Sequence, residues 1–210
     1  MPWHQDNAYL APESLDTLQV TAWVPLIDAN MKNGCIEVAS GGHRSAKTID
    51  HTCCSGGTWY VELKEDDMTK ELGVDLSEDL VVCEVPYGGV LFMNNAIPHR
   101  SLENHSDVIR WSLDLRWQHP DADNGFYGLK ENVLMRTAAD PELVIDWTDM
   151  AGVDRSKVQM KAVGEDNDEL VPEICGPWMK RWQVVHHNKH TERFKKMESE
   201  GGGGSNYHKN

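Results

Sequence analysis

Residues 109–118 alternate without a break. Ile109, Trp111, Leu113, Leu115 and Trp117 occupy the odd positions, and Arg110, Ser112, Asp114, Arg116 and Gln118 the even ones. A repeat of two belongs to an extended strand; a helix would scatter both sets around its axis. The segment therefore reads as a strand with its odd side on an apolar layer and its even side facing a wet cavity or solvent. Further strand candidates are Leu18–Asp28, Cys35–Ala39 after a Lys32-Asn33-Gly34 turn, and Thr58–Leu63. Leu80–Val85 and Val90–Met93 flank the turn sequence Pro86-Tyr87-Gly88-Gly89. Glu65–Leu72 reads as a short helix inserted between strands. Many short strands separated by Gly and Pro turns predict a mainly β fold, a sandwich or jelly-roll barrel.

Beyond His119 the strand signals thin out. Residues 138–150 and 153–163 are expected to form loops and short helices. Trp178–Phe194 is expected to form a helix, with Trp178, Met179, Trp182, Val185 and Phe194 on its apolar side. Its His186, His187 and His190 have ligand-like spacing, but no nearby carboxylate or cysteine completes a set, so they read as a solvated face. The run of four glycines at 201–204 marks a flexible tail. The organisation expected is one domain over 1–195, with a β core at about 3–118, a loop and helix region at 119–195, and a tail at 196–210.

The 210 residues suffice for one domain with a real core. No apolar run approaches the roughly 20 residues of a membrane-spanning helix. A net charge of −14 disfavours nucleic acid and anionic membranes as partners, but leaves room for a small anionic ligand at a local arginine. Five cysteines without a C-x-x-C motif suggest free thiols in a reducing, intracellular setting, with adjacent Cys53-Cys54 structural or incidental.

The chemistry concentrates in two places. His4-Gln5-Asp6 puts an imidazole and a carboxylate two residues apart, on one side of an extended segment. The stretch Asn94–Arg110 supplies His99 after Pro98, Ser101 two residues later, and Arg110 eleven residues after His99. Two imidazoles and a carboxylate can occupy one face of Fe(II), leaving the opposite face for a co-substrate and O2. Arg110, on the polar side of the alternating strand, offers a planar fork suited to a carboxylate, and Ser101 a further hydrogen bond. At the level of the residues alone, His99 also fits an ordinary loop histidine, and Arg110 a surface partner of Asp107.

Together these motifs resemble the phytanoyl-CoA dioxygenase family of Fe(II)/2-oxoglutarate-dependent oxygenases. The resemblance runs over about residues 3–118. It is carried by Trp3-His4-Gln5-Asp6 with Tyr9, Ala22-Trp23, Asn33-Gly34-Cys35, Ser40-Gly41-Gly42-His43-Arg44, and Pro98-His99-x-Ser101 with Arg110. It implies a double-stranded β-helix, the cupin-like jelly-roll. It implies His4, Asp6 and His99 as iron ligands, Arg110 and Ser101 holding the distal carboxylate of 2-oxoglutarate, and Trp23 lining the same site. Because Asp6 is retained, hydroxylation is implied rather than the halogenation of relatives that lack this carboxylate. The implied reaction consumes O2 and 2-oxoglutarate, releases succinate and CO2, and acts on a small organic or acyl substrate.

Other residues carry weaker expectations. His43, Arg44 and His51 are weighed as substrate contacts against loop roles, and His105 and His119 as solvent-facing. Trp111 and Trp117 are expected in the core, and Trp3 in packing opposite His4. The resemblance also implies a portion preceding the H-x-D motif, so the chain reads as an N-terminally truncated member whose first ligand sits on a fraying end. Two alternatives stay open here: a catalytically inactive ligand-binding protein of the same fold, and another cupin-type metal enzyme that does not use 2-oxoglutarate.

Overall fold

The alternating segment forms strand β8, Ser112–Gln118, which pairs antiparallel along the whole of β1, Gln19–Pro25, with Gln19 opposite Gln118 and Pro25 opposite Ser112. The computed structural model describes residues 1–127, 132–145, 147 and 174–199. On its other edge β1 pairs antiparallel with β6, Leu91–Asn94, giving a three-stranded sheet in the order β6-β1-β8. A second antiparallel sheet has the order β5-β2-β7, built from Leu80–Cys83, Ile36–Ala39 and His99–Ser101. From β5 onward the chain changes sheet at each step, β5 and β7 in one and β6 and β8 in the other. This alternation is the winding of a double-stranded β-helix, so the jelly-roll expectation holds.

Between the two sheets lies a core of Trp23, Ala29, Cys35, Ile36, Val85 and Met93. A small third sheet joins β3, Thr52–Cys53, and β4, Val61–Glu62, to β9, Gln183–Val184, which runs parallel to β3. The helix α1 spans Glu65–Leu72 as expected, with three acidic residues in its first turn and Gly73 in the left-handed conformation ending it. Met68 on its inner side packs with Trp3, Ala39, Ile49, Leu63 and Val74.

Three expectations fail here. The odd side of β8 is not core: Trp111 is 66% and Trp117 42% exposed, and Leu113, Leu115, Val20 and Phe92 are exposed as well. Alternation separates two sides without saying which is inner. In this sheet the polar side borders an open, charge-lined cavity, and Asp114 and Arg116 on it are exposed as well.

The predicted helix over 178–194 is broken. Helix α2 covers only Trp178–Arg181, because Trp182 is extended (φ −111°, ψ 150°) and the next residues add to β3. Helix α3, Lys189–Ser199, starts afresh where the side-chain oxygen of Asn188 accepts the N–H groups of His190 and Thr191. His186 and His187 are exposed, but His190 is buried.

Cys53 and Cys54 are joined in a disulfide, while Cys35, Cys83 and Cys175 are free. Cys54 has a positive φ (76°). The pair is buried against Val61, Met179, Trp182, Phe194 and Met197, so the C-terminal elements pack directly onto it. Residues 138–145 contain neither helix nor strand. The rest of the 138–150 and 153–163 expectations, and the glycine run, lie outside the described residues. Among the described residues, no helix is long and apolar enough to cross a membrane.

Candidate active site

His4 is placed by backbone pairing. Its N–H donates to the carbonyl of His99 (3.0 Å), and its own carbonyl accepts the His99 N–H (2.9 Å). Opposed residues in such a pair project to the same side, and the two ring centroids lie 4.2 Å apart. Gln5 is extended, and the chain then winds into a 3-10 turn at Asp6–Tyr9 that carries the Asp6 carboxylate to both rings.

The opening segment is held tightly, contrary to the expectation of a frayed end. The fully buried Gln5 side chain donates to the carbonyls of Lys47 (2.8 Å) and Ala96 (2.6 Å) and accepts the Ile49 N–H (3.0 Å). Its backbone N–H donates to Nε2 of His51 (3.1 Å). The carbonyls of Met1 and Trp3 accept the N–H groups of Ser101 (3.2 Å) and Leu63 (2.7 Å). Trp3 points away from His4 into the core, its indole donating to Glu65 and its ring lying under the Arg100 guanidinium.

The histidines are oriented alike. Nδ1 of His4 faces the Pro2 carbonyl, and Nδ1 of His99 the Ile97 carbonyl, each at 3.0 Å. A carbonyl only accepts, so Nδ1 carries the proton and Nε2 keeps a free lone pair. Those lone pairs face Oδ1 of Asp6 at 3.7 and 3.8 Å. All three ligand atoms lie within 4.8 Å of one another, with all three residues buried. The separations are too long for hydrogen bonds and suit a cation seated between them, with the far ring nitrogens anchored as metal-binding histidines usually are.

Electrostatics points the same way. Burial, reinforced by His4, pushes His99 down to about 4, so its imidazole is neutral at ordinary pH. Burial opposes ionisation of Asp6, yet contact with His4 and the charge of Arg116 prevail and hold its carboxyl well below the usual range. Arg116 Nη2 donates to Asp6 Oδ2 at 2.9 Å, and Thr21 Oγ1 donates to the same oxygen at 3.4 Å. Oδ1 is thus left to the imidazoles.

A cavity of about 500 Å³ opens onto this cluster. One wall is formed by Thr21 and Trp23 of β1, Ser112, Asp114 and Arg116 of β8, and Arg110 just before β8. Ser101 borders it from β7, and Tyr9, Trp59, Tyr60, Phe126, Tyr127 and Trp178 form an aromatic wall. Tyr9, Trp59 and Trp178 touch one another, with ring centroids 5.5–6.0 Å apart. Arg110 is fixed in place: Nε donates to the Gly34 carbonyl (3.0 Å), Nη1 to Ser112 Oγ (3.3 Å), and the guanidinium lies 4.9 Å from the centre of the buried Trp23 ring. At Gly34 φ is +77°, and a Cβ would sit 2.6 Å from the Leu102 carbonyl, so glycine is required where Arg110 is anchored.

All six sequence-derived site residues, His4, Asp6, Trp23, His99, Ser101 and Arg110, therefore border one cavity. His43 and Arg44 do not line it. His51 serves the scaffold: Nδ1 bonds the Ile49 carbonyl (2.8 Å), Nε2 receives the Gln5 N–H, and burial pushes it down to about 3. His105 and His119 are exposed, beside Glu103 and Asp121. Arg116, Ser112 and Asp114 were not assigned a role from sequence, although their shared register with Arg110 on the even side of β8 was visible. Trp59 and Trp178 left no signal, since nothing local links them to residues 4–9.

Comparison with known proteins gives a consistent picture. The 1-deoxypentalenic acid 11-beta-hydroxylase of Streptomyces arenae is 28% identical over 131 residues, covering 61% of this chain and 44% of that protein. Phytanoyl-CoA dioxygenase domain-containing protein 1 of Danio rerio is 30% identical over 107 residues, 51% of this chain and 35% of that protein. The chain thus spans less than half the length of these relatives. Among solved structures, EvdO2 from Micromonospora carbonacea var. aurantiaca complexed with 2-oxoglutarate matches at 25% identity and a TM-score of 0.42, over 59% of this chain and 49% of that one. Residues 1–112, which include His4, Asp6, His99 and Arg110, match the phytanoyl-CoA dioxygenase (PhyH) family, and the chain belongs to that family.

Proposed function

We propose that the protein is an Fe(II)- and 2-oxoglutarate-dependent dioxygenase that hydroxylates an unactivated C–H bond of a small organic or acyl substrate. The reading rests above all on one observation: Nε2 of His4, Nε2 of His99 and Oδ1 of Asp6 converge within 4.8 Å, with both Nδ1 atoms tied to backbone carbonyls. Two imidazoles and one carboxylate on one side of an ion form the donor set suited to non-haem Fe(II) with open positions. His4, Asp6 and His99 take the part of metal ligands in this reading. Arg110 receives the distal carboxylate of 2-oxoglutarate, with Ser101 and Ser112 beside it and Trp23 supporting the guanidinium. Iron with 2-oxoglutarate supplies the activation of O2, one oxygen atom entering succinate as CO2 leaves and the other entering the substrate. The chain's own residues orient both partners and exclude water through the aromatic wall. The hydroxylase name of the Streptomyces relative favours hydroxylation as the outcome.

The test is binding of Fe(II) and 2-oxoglutarate under anaerobic conditions, followed by the visible charge-transfer band of their chelate, and succinate formation on admitting O2. Arg110→Ala is expected to lose 2-oxoglutarate binding while keeping the metal. A protein that binds metal but shows no 2-oxoglutarate-dependent band would overturn the reading in favour of another cupin-type metal enzyme. One that binds neither would be an inactive member of the fold.

A further inference from the structure

Strand β8 lies at one end of the β6-β1-β8 sheet, and among the described residues it pairs with β1 alone. Its central residues, Leu113 to Trp117, are exposed on both sides of the sheet. The phase of its ladder is set by the bond that the Leu26 N–H donates to the Trp111 carbonyl, in the register that puts Pro25 opposite Ser112. Bonded pairs recur every second residue in an antiparallel ladder, so the odd residues of β8 turn their backbone groups to β1. Ser112, Asp114, Arg116 and Gln118 turn their N–H and C=O groups to the open edge. Such a row of donors and acceptors is a template for another strand.

The stretch Ser112-Leu113-Asp114-Leu115-Arg116-Trp117-Gln118 is symmetric in character about Leu115. Two copies meeting edge to edge across a two-fold axis at Leu115 set Asp114 of each opposite Arg116 of the other. Leu113 then faces Trp117, and Ser112 faces Gln118. This register joins even residues to even residues, as the ladder of the open edge requires. The neighbouring registers that also do so have the axis at residue 114 or 116, and set Asp114 against Asp114 or Arg116 against Arg116. Opposite charges across a strand pair stabilise it, and like charges directly opposite destabilise it. Charge therefore selects one register among those the backbone permits.

We infer that the protein pairs with a second copy of itself through the open edge of β8, joining two three-stranded sheets into one of six strands. A two-fold interface must be its own complement, and this edge is so in backbone, charge and apolar side chains. Asp114 and Arg116 also border the cavity, and Arg116 Nη2 holds Asp6. Its guanidinium has further N–H groups, so it can serve Asp6 and the facing carboxylate together. Assembly then extends the cavity wall with a strand from the second copy.

The test is sedimentation velocity of the full chain from roughly 1 to 100 µM, in about 0.15 M salt so that the net charge of −14 is screened beyond about 8 Å. A species of twice 23.7 kDa is expected to grow with concentration. Asp114→Arg and Arg116→Asp are each expected to weaken it about tenfold or more, and an equimolar mixture of the two variants to restore it, since opposite charges then face one another. Leu115→Cys faces itself across the axis with Cα atoms about 4.5 Å apart, within reach of a disulfide, and is expected to give a covalent dimer on mild oxidation. Leu113→Cys faces Trp117 and is expected to give no more than the wild type. Far-UV circular dichroism reports the fold of each variant; where a charge variant does not fold, the two cysteine variants decide. A monomer at every concentration would overturn the inference and leave the edge to a different partner. A dimer indifferent to Asp114→Arg, folded charge variants that do not recover on mixing, or equal cross-linking of the two cysteine variants would overturn it too.

Discussion

Arg116 Nη2 lies 2.9 Å from Oδ2 of Asp6, the carboxylate oxygen that does not face the histidines. Since Oδ1 is the atom 3.7–3.8 Å from both imidazole Nε2 atoms, the ion pair divides the carboxylate into an oxygen held by Arg116 and one facing the imidazoles. In the proposed metal site this would leave Asp6 one oxygen for the ion. Arg116 lies within β8 and Arg110 two residues before its start, so one short segment carries both arginines that border the cavity.

Removing that anchor should loosen the metal site without dismantling it. Arg116→Met is expected to lower affinity for Fe(II), or for Co(II) as a stable substitute, roughly 10- to 100-fold, as for other groups that orient a metal ligand. Arg116→Lys, which keeps the charge, should recover part of the loss. Calorimetric titration with Co(II) reads this directly, and wild-type affinity in Arg116→Met would refute the role.

Gln5 lies between His4 and Asp6, and its side chain bonds to backbone elsewhere. Its side chain satisfies the carbonyls of Lys47 and Ala96 and the N–H of Ile49. Gln5→Ala leaves two buried backbone groups, the Ala96 carbonyl and the Ile49 N–H, without partners and is expected to destabilise the fold by about 2 kcal/mol or more. Urea denaturation at neutral pH measures it; a shift below about 1 kcal/mol would show that water replaces the side chain.

His51 makes stability depend on acid. Its folded-state value of about 3 lies below the ordinary 6.5, so the unfolded chain takes up a proton that the folded chain refuses. The stabilisation is full above pH 6.5 and is lost as pH falls toward 3, with a slope reaching about 1.4 kcal/mol per pH unit. Other groups titrate in the same window, so the comparison is with His51→Gln. Unfolding free energy in the wild type should fall more steeply between pH 6 and 4 than in the variant; parallel curves would exclude His51 as the source.

The cysteines can be counted. In denaturant without reductant, three thiols should react with a maleimide, those of Cys35, Cys83 and Cys175, and all five after reduction. In the folded protein Cys35 should lag, being fully buried while Cys83 and Cys175 are half-buried. Five reactive thiols in unreduced protein would show that Cys53 and Cys54 are not bonded.

The candidate site was largely legible because its parts sit in short, chemically distinctive stretches. His4 and Asp6 are two residues apart, His99 and Ser101 likewise, and Arg110 lies on a strand whose period of two is plain. What stayed hidden depends on contacts between distant segments. Trp178 reaches Tyr9 only because β9 adds to β3 and brings α2 over the cavity. The same pairing overrode the helical pattern of residues 178–194, where apolar spacing suited one helix but strand hydrogen bonds at 183–184 cost less to form in the folded chain.

By itself, then, the sequence determined which residue types were available for a two-histidine, one-carboxylate site and an inward arginine, and that short strands would carry them. Spacing along an extended backbone fixes which neighbours share a side, and that is local physics. Tertiary structure alone decided which side is inner. It turned the polar side of β8 over the cavity and left Trp111, Leu113, Leu115 and Trp117 exposed. It also set Arg116 on Asp6, because the charges facing a residue across a barrel depend on how two sheets stack, which periodicity does not encode.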